Sequence, residues 1–260
     1  MKFEQQLTVD KLSVSISETE ESLAKTSAKI AQEYLETILA NKQEAAILLA
    51  TGNSQLKFLD VLISNAKIDW SRLKLFHLDE YLGISKEHPA SFRYYLREKV
   101  EKRVNPQVFH YLQGDTLEPV KECDRYTKLL QAQPIDLCCL GIGTNGHLAF
   151  NEPRVANFDD PYWVKLVRLE QETRQVQVDQ GHFSNLNQVP QYALTVTIPM
   201  ILLSKKILCL ASGISKAKVI KTMLKDDINS ACPASILRQH TDATLVLDQA
   251  SSQLISGTIV

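Results

Sequence analysis

The sequence predicts an α/β protein with a mostly parallel sheet that is covered by helices on both faces. Apolar runs of strand length alternate with longer runs in which apolar residues recur at helical spacing. That alternation is typical of parallel strands joined by crossover helices. No internal repeat or composition break divides the 260 residues, so we expect one domain over residues 1–260.

Charge and hydropathy narrow the class of partner. The 29 basic and 30 acidic residues are evenly spread and give a net charge of -1, which argues against a nucleic-acid partner. Residues Met1 to Asp10 lack the apolar run of a signal peptide, and no stretch reaches the roughly 18 apolar residues of a membrane span. We therefore expect a cytoplasmic protein that has no contact with a membrane.

The five cysteines are interpreted as reduced, buried thiols. Their number is odd, and three of them lie in very apolar runs. A metal site is the alternative, but there is no Cys-x-x-Cys, and neighbouring Cys138 and Cys139 would point to opposite faces of a strand. We expect no metal.

The first half of the chain opens with a helix and then reaches a strand-loop-helix junction. Leu23, Ala28, Ala31, Leu35 and Ile38 predict a surface helix over Thr19 to Asn41. Ala45 to Ala50 is a buried strand that ends at Thr51-Gly52-Asn53-Ser54, after which Leu56 to Ile63 has helical spacing.

Two further strands end in polar residues. Leu73 to Leu78 runs into Asp79-Glu80-Tyr81, and Ile135 to Leu140 runs into a Gly-rich segment that contains His147. Open α/β sheets bind ligands at the carboxyl ends of their strands, so both segments are candidates for a site. The remaining predicted elements are strands at Lys165 to Leu169, Ala193 to Ile198, Lys206 to Ala211 and Ala243 to Leu247, and a helix from Ser215 to about Lys225.

Gly141, Gly143 and Gly146 form a G-x-G-x-x-G pattern after a strand, which suggests a dinucleotide. That fingerprint needs a helix directly after the last glycine, and Pro153 and Pro161, with nearby asparagines, prevent a long one. The glycines either let backbone amides approach a small anion or a developing oxyanion, or they only form a tight turn. We expect no nucleotide cofactor.

Acid and base candidates follow the same two strands. His147, near Asn145 and Glu152, has the composition of an acid/base unit, although a structural histidine is the simpler alternative. Asp79 and Glu80 are candidates because they directly follow an apolar strand, and helix capping or surface exposure is the rival explanation.

The segment Thr51-Gly52-Asn53-Ser54 has the features of a phosphate site. Opening a helix, it offers free amides, small hydroxyls and the positive helix end, and Lys216 follows another strand-helix junction. An ordinary N-cap and a solvated lysine are the alternatives.

The acid and base candidates lie in two segments that resemble the signatures of glucosamine-6-phosphate deaminases. These segments are Leu78-Asp79-Glu80-Tyr81 and Gly146-His147-Leu148-Ala149-Phe150-Asn151-Glu152-Pro153. The similarity runs from about Ala45 to Leu247. Supporting segments are Thr51 to Ser54, Lys86 to Pro89, Val189 to Thr195 and Ser215 to Ala217.

The resemblance implies a modified Rossmann-like three-layer α/β/α domain that converts glucosamine 6-phosphate into fructose 6-phosphate and ammonia without metal or cofactor. By matched position, Asp79 would move a proton between C2 and C1 of the opened sugar. His147, with Glu152 and Asn145, would open the pyranose ring. Gly52 to Ser54 and Lys216 would hold the phosphate, and Glu80, Gly143 and Gly146 would also contact the substrate.

The sequence departs from the family at three places. Many deaminases have an aspartate where this chain has Asn145, which leaves Glu152 as the electrostatic partner of His147. A lid-like segment over about 154–186 offers His182 where relatives place a phosphate-binding arginine, and Arg174 is a second candidate there. The basic allosteric cluster of the bacterial enzymes has no clear match, and the sequence leaves the oligomeric state open.

Two other functions fit the same fold. A 6-phosphogluconolactonase would also use a phosphate loop and a histidine, but its usual motif lacks Phe150-Asn151-Glu152-Pro153 and Asp79-Glu80-Tyr81. A non-catalytic sugar-phosphate sensor would need a DNA-binding unit, and the chain before Ala45 is too short for a helix-turn-helix.

Overall fold

A computed structural model describes residues 5–64 and 67–255, except for the side chain of Asn53. Its strands are β1 (Gln5–Val9), β2 (Leu12–Ser17), β3 (Ala45–Leu49), β4 (Leu73–His77), β5 (Asp79–Tyr81), β6 (Val108–His110), β7 (Leu137–Gly141), β8 (Val164–Arg168), β9 (Tyr192–Val196), β10 (Lys206–Ala211) and β11 (Ala243–Asp248). Eight of them form the main sheet in the order β1-β2-β11-β10-β7-β3-β4-β6. All its pairings are parallel except that of β1 with β2. The predicted fold class is confirmed.

Helices pack against the sheet in two layers. They are α1 (Glu20–Asn41), α2 (Asn53–Ser64), α3 (Phe92–Leu96), α4 (Lys102–Val104), α5 (Pro119–Ala132), α6 (Gln171–Asp179), α7 (Ile198–Leu202) and α8 (Ala217–Lys225), and a π-helical segment at Arg97–Glu101 joins α3 to α4. The predicted helix at Thr19 begins one residue later, because the Thr19 side chain accepts a hydrogen bond from the Ser22 amide and is its N-cap.

Side-chain alternation along the strands divides the core into two clusters. In β10, Ile207 and Cys209 face one layer of helices, whereas Leu208 and Leu210 face the other. Cys138 and Cys139 likewise belong to opposite clusters, as the sequence predicts. All five cysteines are free and buried.

The strands predicted at Lys165 to Leu169 and Ala193 to Ile198 form, but not in the main sheet. They are β8 and β9, which pair antiparallel with each other, and β9 also pairs antiparallel with β5. This small sheet, in the order β5-β9-β8, is a correction to the expected single sheet. Its consequence is that Asp79 lies on a strand, where backbone pairing with Thr195 fixes its position.

The small sheet has its own apolar core, which includes Tyr81, Phe150, Phe183 and Val189. Phe150 and Phe183 contribute to this core from segments outside the sheet. The core therefore packs the turn after β7 against the chain after α6. Within residues 5–64 and 67–255, no helix is long and apolar enough to cross a membrane.

Candidate active site

A cavity of about 620 Å³ opens at the carboxyl edge of the main sheet. The chain leaves the ends of β3, β4, β7, β10 and β11 into its walls, which is where open α/β sheets place ligands. The predicted site residues that line it are Thr51, Gly52, Ser54, Asp79, Gly143, His147, His182 and Lys216. The side chain of Asn53 lies outside the described residues.

Asp79 contributes a carboxyl group that is 8% exposed and lines the cavity. Burial, together with the charge of Glu80, raises the pKa of Asp79 to about 8. No side chain or amide of the described residues donates a hydrogen bond to it. A carboxyl group left in this state is suited to exchanging a proton with a ligand near neutral pH.

Glu80 does not line the cavity, and its predicted role in substrate binding is corrected. Successive side chains of a strand point to opposite faces, so Glu80 points away from Asp79 into the protein. Its buried carboxylate accepts hydrogen bonds from Ser91 Oγ (2.7 Å) and from the amides of Tyr81, Phe92 and Arg93 (2.9, 3.1 and 2.9 Å). Glu80 therefore caps α3, which was the alternative that the sequence left open.

His147 lines the cavity from a tight turn at the end of β7. Burial of the ring, with a contribution from the positive charge of Lys216, lowers the pKa of His147 to about 4. The imidazole is therefore neutral at pH 7, and its Nδ1 atom is buried without a hydrogen-bond partner in the described structure. A neutral imidazole can accept a proton from a sugar hydroxyl and return it.

Gly143 and Gly146 of this turn leave no room for a side chain, because a Cβ at either position would clash with a neighbouring residue. A Cβ on Gly143 would lie 2.2 to 2.3 Å from His147 ring atoms, and one on Gly146 would lie 2.8 Å from Cys232 Sγ. Gly146 also has a φ of 87°, a conformation that L residues rarely adopt. Gly146 does not line the cavity, and the structure shows for it a role in the turn.

Asn145 and Glu152 flank His147 but do not bond to its ring. The Asn145 Oδ1 atom accepts a hydrogen bond from the backbone amide of His147 (3.2 Å). Glu152 is 1% exposed, and its Oε2 atom accepts a hydrogen bond from the Glu170 amide (2.7 Å), while its Oε1 atom has no partner among the described residues. Burial raises the pKa of Glu152, although the Thr173 side chain and the Glu170 amide oppose that shift.

The phosphate candidates line the same cavity. Gly52 adopts a φ of 104° and α2 begins directly after it, so the first amides of this 12-residue helix have no carbonyl of their own helix to bind. Lys216 faces the cavity, burial lowers its pKa, and its ammonium makes no ion pair within the described chain. An anion is the ligand that would satisfy both groups.

Helix α6 forms another wall, and the sequence interpretation found only part of it. Thr173, Val176, Gln177 and Gln180 line the cavity at helical spacing, a signal that was present in the sequence. His182 lines it as well. Arg174 does not, because its guanidinium donates hydrogen bonds to the carbonyls of Leu186 (2.7 Å) and Val189 (2.8 Å). The structure does not bring Arg174 to the cavity, and its guanidinium instead holds the chain after α6.

Ala149 and Lys99 are two more of the cavity residues that were not predicted. Ala149 lines the cavity with a φ of 52°, which is unusual for a residue with a Cβ, and the Phe150 amide beside it donates a hydrogen bond to Thr195 Oγ1 (3.1 Å). Lys99 lines it from the π-helical segment, which no sequence pattern indicated.

A family model supports the resemblance to glucosamine-6-phosphate deaminases that the two sequence segments indicated. Residues 18–246 match the model for glucosamine-6-phosphate isomerases/6-phosphogluconolactonase. The chain is 36% identical over 234 residues to a glucosamine-6-phosphate deaminase of Clostridium acetobutylicum, an alignment that covers 88% of this chain and 95% of the relative. It is 33% identical over 248 residues to one of Bacillus thuringiensis, with 95% and 91% covered.

Solved structures agree with the family model. A monomeric glucosamine-6-phosphate deaminase superposes with a TM-score of 0.85 at 31% identity, covering 93% of this chain and 99% of that one. The 6-phosphogluconolactonase of Thermotoga maritima superposes with a TM-score of 0.75 over 92% of this chain and 100% of its own, but at 19% identity it shares the fold alone. From its sequence and its fold, the chain belongs to the glucosamine-6-phosphate isomerase/6-phosphogluconolactonase family.

Proposed function

We propose that the protein is a glucosamine-6-phosphate deaminase, which converts glucosamine 6-phosphate into fructose 6-phosphate and ammonia. The observation that carries the proposal is one cavity that combines an unpaired buried carboxyl group (Asp79), a neutral imidazole (His147) and an unpaired ammonium beside a helix N-terminus (Lys216 and α2). A phosphate, a ring hydroxyl and a carbon acid are the groups that these three features suit.

The first step is ring opening by His147. A neutral imidazole takes the proton of the anomeric hydroxyl and delivers one to the ring oxygen, which breaks the C1–O5 bond and leaves the open aldehyde. The low pKa of His147 keeps it in the proton-accepting form at pH 7. Lys216 and the amides that open α2 hold the phosphate meanwhile, which fixes the carbon chain against the catalytic groups.

In the second step Asp79 transfers the C2 proton to C1, while the 2-ammonium group loses one proton and the C1 oxygen gains one, which leaves a C1 alcohol and an iminium at C2. Water then adds to C2, and the amine leaves as ammonia to give the C2 ketone of fructose 6-phosphate. As a base, Asp79 must be ionised, yet burial and Glu80 raise its pKa to about 8. The 2-ammonium group of the substrate supplies the missing positive charge, which lowers the pKa of a nearby carboxyl group. This complementarity favours an amino sugar over a lactone, which has no cation to offer.

The segment of residues 154–186 is the proposed lid of the site. Its helix α6 presents Thr173 and Gln177 to the cavity, and Gln180 and His182 follow the helix. No charged residue of α6 lines the cavity, so this wall would contact sugar hydroxyls. The reaction requires neither metal nor cofactor, and five free thiols support a reducing, cytoplasmic location.

The test is an ammonia and fructose 6-phosphate assay with purified protein and a chelator. Glucosamine 6-phosphate is compared with galactosamine and mannosamine 6-phosphates and with 6-phosphogluconolactone, for which acid release is followed. We expect ammonia from glucosamine 6-phosphate and no lactone hydrolysis. Failure to release ammonia from all three amino sugars would end the assignment.

A matched pair of variants tests the phosphate site in the same assay. Lys216→Met should raise KM about 10- to 100-fold, since it removes a hydrogen bond between charged groups. Lys218→Met, two residues on and outside the cavity lining, is the control and should keep the wild-type KM.

A further inference from the structure

The candidate phosphate subsite has two walls that come from different parts of the sheet. The α2 wall consists of Thr51, Gly52 and Ser54, which follow β3, and the Lys216 wall is the loop of residues 212–216 after β10. In the main sheet β7 lies between β3 and β10, so about 10 Å separates the two strands that carry the walls. A phosphate can bind to both walls at once only if their spacing is fixed.

Glu20 connects the two walls through hydrogen bonds. It is the first residue of α1, and it lines the cavity. Its Oε2 atom accepts a hydrogen bond from Lys57 Nζ on α2 (2.5 Å), and its Oε1 atom accepts one from Ser212 Oγ in the loop after β10 (3.2 Å). One carboxylate is therefore bonded to the elements that form both walls.

The start of α1 is a rigid support for this carboxylate. Thr19 and Ser22 form a capping box, in which each side-chain oxygen accepts a hydrogen bond from the backbone amide of the other residue (3.2 and 2.8 Å). Beyond the cap, Leu23 and Leu35 of the same helix are buried in the core. The position of Glu20 relative to the sheet is therefore well determined.

The Lys216 wall has a second carboxylate anchor. Both oxygens of Asp248, at the end of β11, accept a hydrogen bond from the Gly213 amide (3.1 Å each). Strand β11 is the neighbour of β10, so Asp248 fixes this loop to its own side of the sheet. The spacing between this loop and α2 is left for Glu20 to fix.

The charge of Glu20 does not explain its position. A carboxylate that lines a phosphate cavity repels the ligand. Glu21 also accepts a hydrogen bond from Lys57 (2.6 Å), and it does not line the cavity. An ion pair between α1 and α2 therefore does not need Glu20, and the bond to Ser212 is what Glu20 adds.

We propose that Glu20 is a positioning residue of the phosphate subsite, which holds the α2 wall and the Lys216 wall at the spacing that lets both bind one phosphate. The inference rests on the proposed function in taking the 6-phosphate of the substrate as the ligand. Because Glu20 acts through Lys57 and Ser212, it affects how tightly the substrate is held and not the chemical steps.

Glu20→Ala tests the proposal. Loss of the bridge should raise KM for glucosamine 6-phosphate about three- to tenfold, as for one hydrogen bond, with kcat within about twofold of wild type. A carboxylate that only repelled the phosphate would give the opposite result, a lower KM. Glu20→Gln can still accept hydrogen bonds from Ser212 and Lys57, so its KM should lie within about twofold of the wild-type value.

Glu21→Ala is the matched control. It removes an equal charge and the other hydrogen bond of Lys57, but Glu21 lies outside the cavity lining, so KM should keep its wild-type value. The effect of Glu20→Ala should also be smaller in the Lys216→Met background, where one wall has already lost its cation.

Calorimetry with inorganic phosphate separates this inference from the proposed function. The Kd of phosphate should rise about three- to tenfold for Glu20→Ala and should not change for Glu21→Ala. Unchanged or lowered KM and Kd for Glu20→Ala, or equal changes for both variants, would overturn the inference and leave the deaminase function standing. If the wild type releases no ammonia but the phosphate affinities change as expected, the function fails and the positioning role of Glu20 at an anion subsite stands.

Discussion

Two aspartates at opposite edges of the main sheet are both buried, but their pKa values are shifted in opposite directions. At the amino edge, Asp136 accepts hydrogen bonds from Lys42, from Lys205 (2.9 Å) and from the Ala46 amide (3.0 Å). Burial acts to raise its pKa, but these hydrogen bonds bring the pKa of Asp136 below the ordinary value. At the carboxyl edge, Asp79 has no such donors and its pKa is raised to about 8.

The comparison shows that burial of a charged group does not by itself mark a catalytic residue. Asp136 is satisfied by the protein and therefore contributes to the stability of the fold, whereas Asp79 is left for a ligand to satisfy. The same contrast holds for lysines, since Lys205 is paired with Asp136 and Lys216 has no ion-pair partner in the described residues.

The largest expected effect is that of Asp79→Asn. An amide cannot accept the C2 proton, so kcat should fall about 10³-fold, within the range for loss of a general base. Unfolding free energy in urea should not decrease, because the variant removes an unpaired buried carboxyl group. Phosphosugar binding, measured by calorimetry, should persist. Retention of wild-type ammonia release would remove Asp79 from the chemistry.

Gly143→Ala should have the next largest effect. The added Cβ would lie 2.2 Å from the His147 ring, which must move, and displacement of a catalytic group by about 1 Å can lower kcat by about 10²-fold. Gly141→Ala is the control, since its Cβ would lie 3.2 Å from Ser54 Oγ and so affects KM rather than kcat. Equal kcat values for both variants would contradict this.

Asp136→Asn should lower stability and leave activity unchanged, whereas Asp79→Asn should lower activity without lowering stability. Loss of hydrogen bonds from two lysines should lower the unfolding free energy by about 2 kcal/mol, as for hydrogen bonds to charged groups. Activity should stay at the wild-type level where the protein is folded. A urea titration and the ammonia assay, run in parallel, check both expectations.

The two aspartates also predict opposite pH dependences of stability. The folded-state pKa of Asp79 lies above the unfolded value, so the folded protein binds the extra proton and this contribution to stability is lost as pH rises from about 4 to about 8. The folded-state pKa of Asp136 is lowered, so its contribution is present above about pH 4 and is lost as pH falls further. Urea titrations between pH 4 and 8 should show a flatter dependence for Asp79→Asn than for wild type.

Glu80→Gln should have a smaller effect on catalysis than Asp79→Asn or Gly143→Ala. It removes the negative charge that helps to raise the pKa of Asp79, so the rise of activity with pH should move to lower pH. The variant also weakens the cap of α3 by about 1 kcal/mol. The kcat profile between pH 5 and 9 is the measurement, and an unmoved profile would mean that Glu80 does not act on Asp79.

The sequence was sufficient to predict the site residues at the ends of strands, but it could not predict strands that are defined by pairing with a distant part of the chain. Asp79, His147 and Lys216 were predicted because each follows a buried strand, and such strand ends meet at one sheet edge. The three-residue strand β5 was not predicted, since it is defined by pairing with β9, more than a hundred residues later. Without that strand, the alternation that separates Asp79 from Glu80 could not be applied.

In the lid segment, the sequence likewise could not predict which basic side chain reaches the cavity. The resemblance made His182 the counterpart of the relatives' phosphate-binding arginine, and Arg174 was a second candidate in the same segment. Carbonyls at Leu186 and Val189, which lie along the chain beyond α6, bind the guanidinium and remove Arg174 from the cavity. Only the folded path of the chain after α6 could decide between them.

The backbone at Ala149 restricts how this active site can vary. A φ of 52° strains any residue that has a Cβ, and Ala149 lines the cavity. Larger side chains would add to that strain and also occupy substrate space, so a library of all single substitutions should retain activity at position 149 only for alanine and glycine. The turn after β7 is thus constrained at a residue that has no functional group at all.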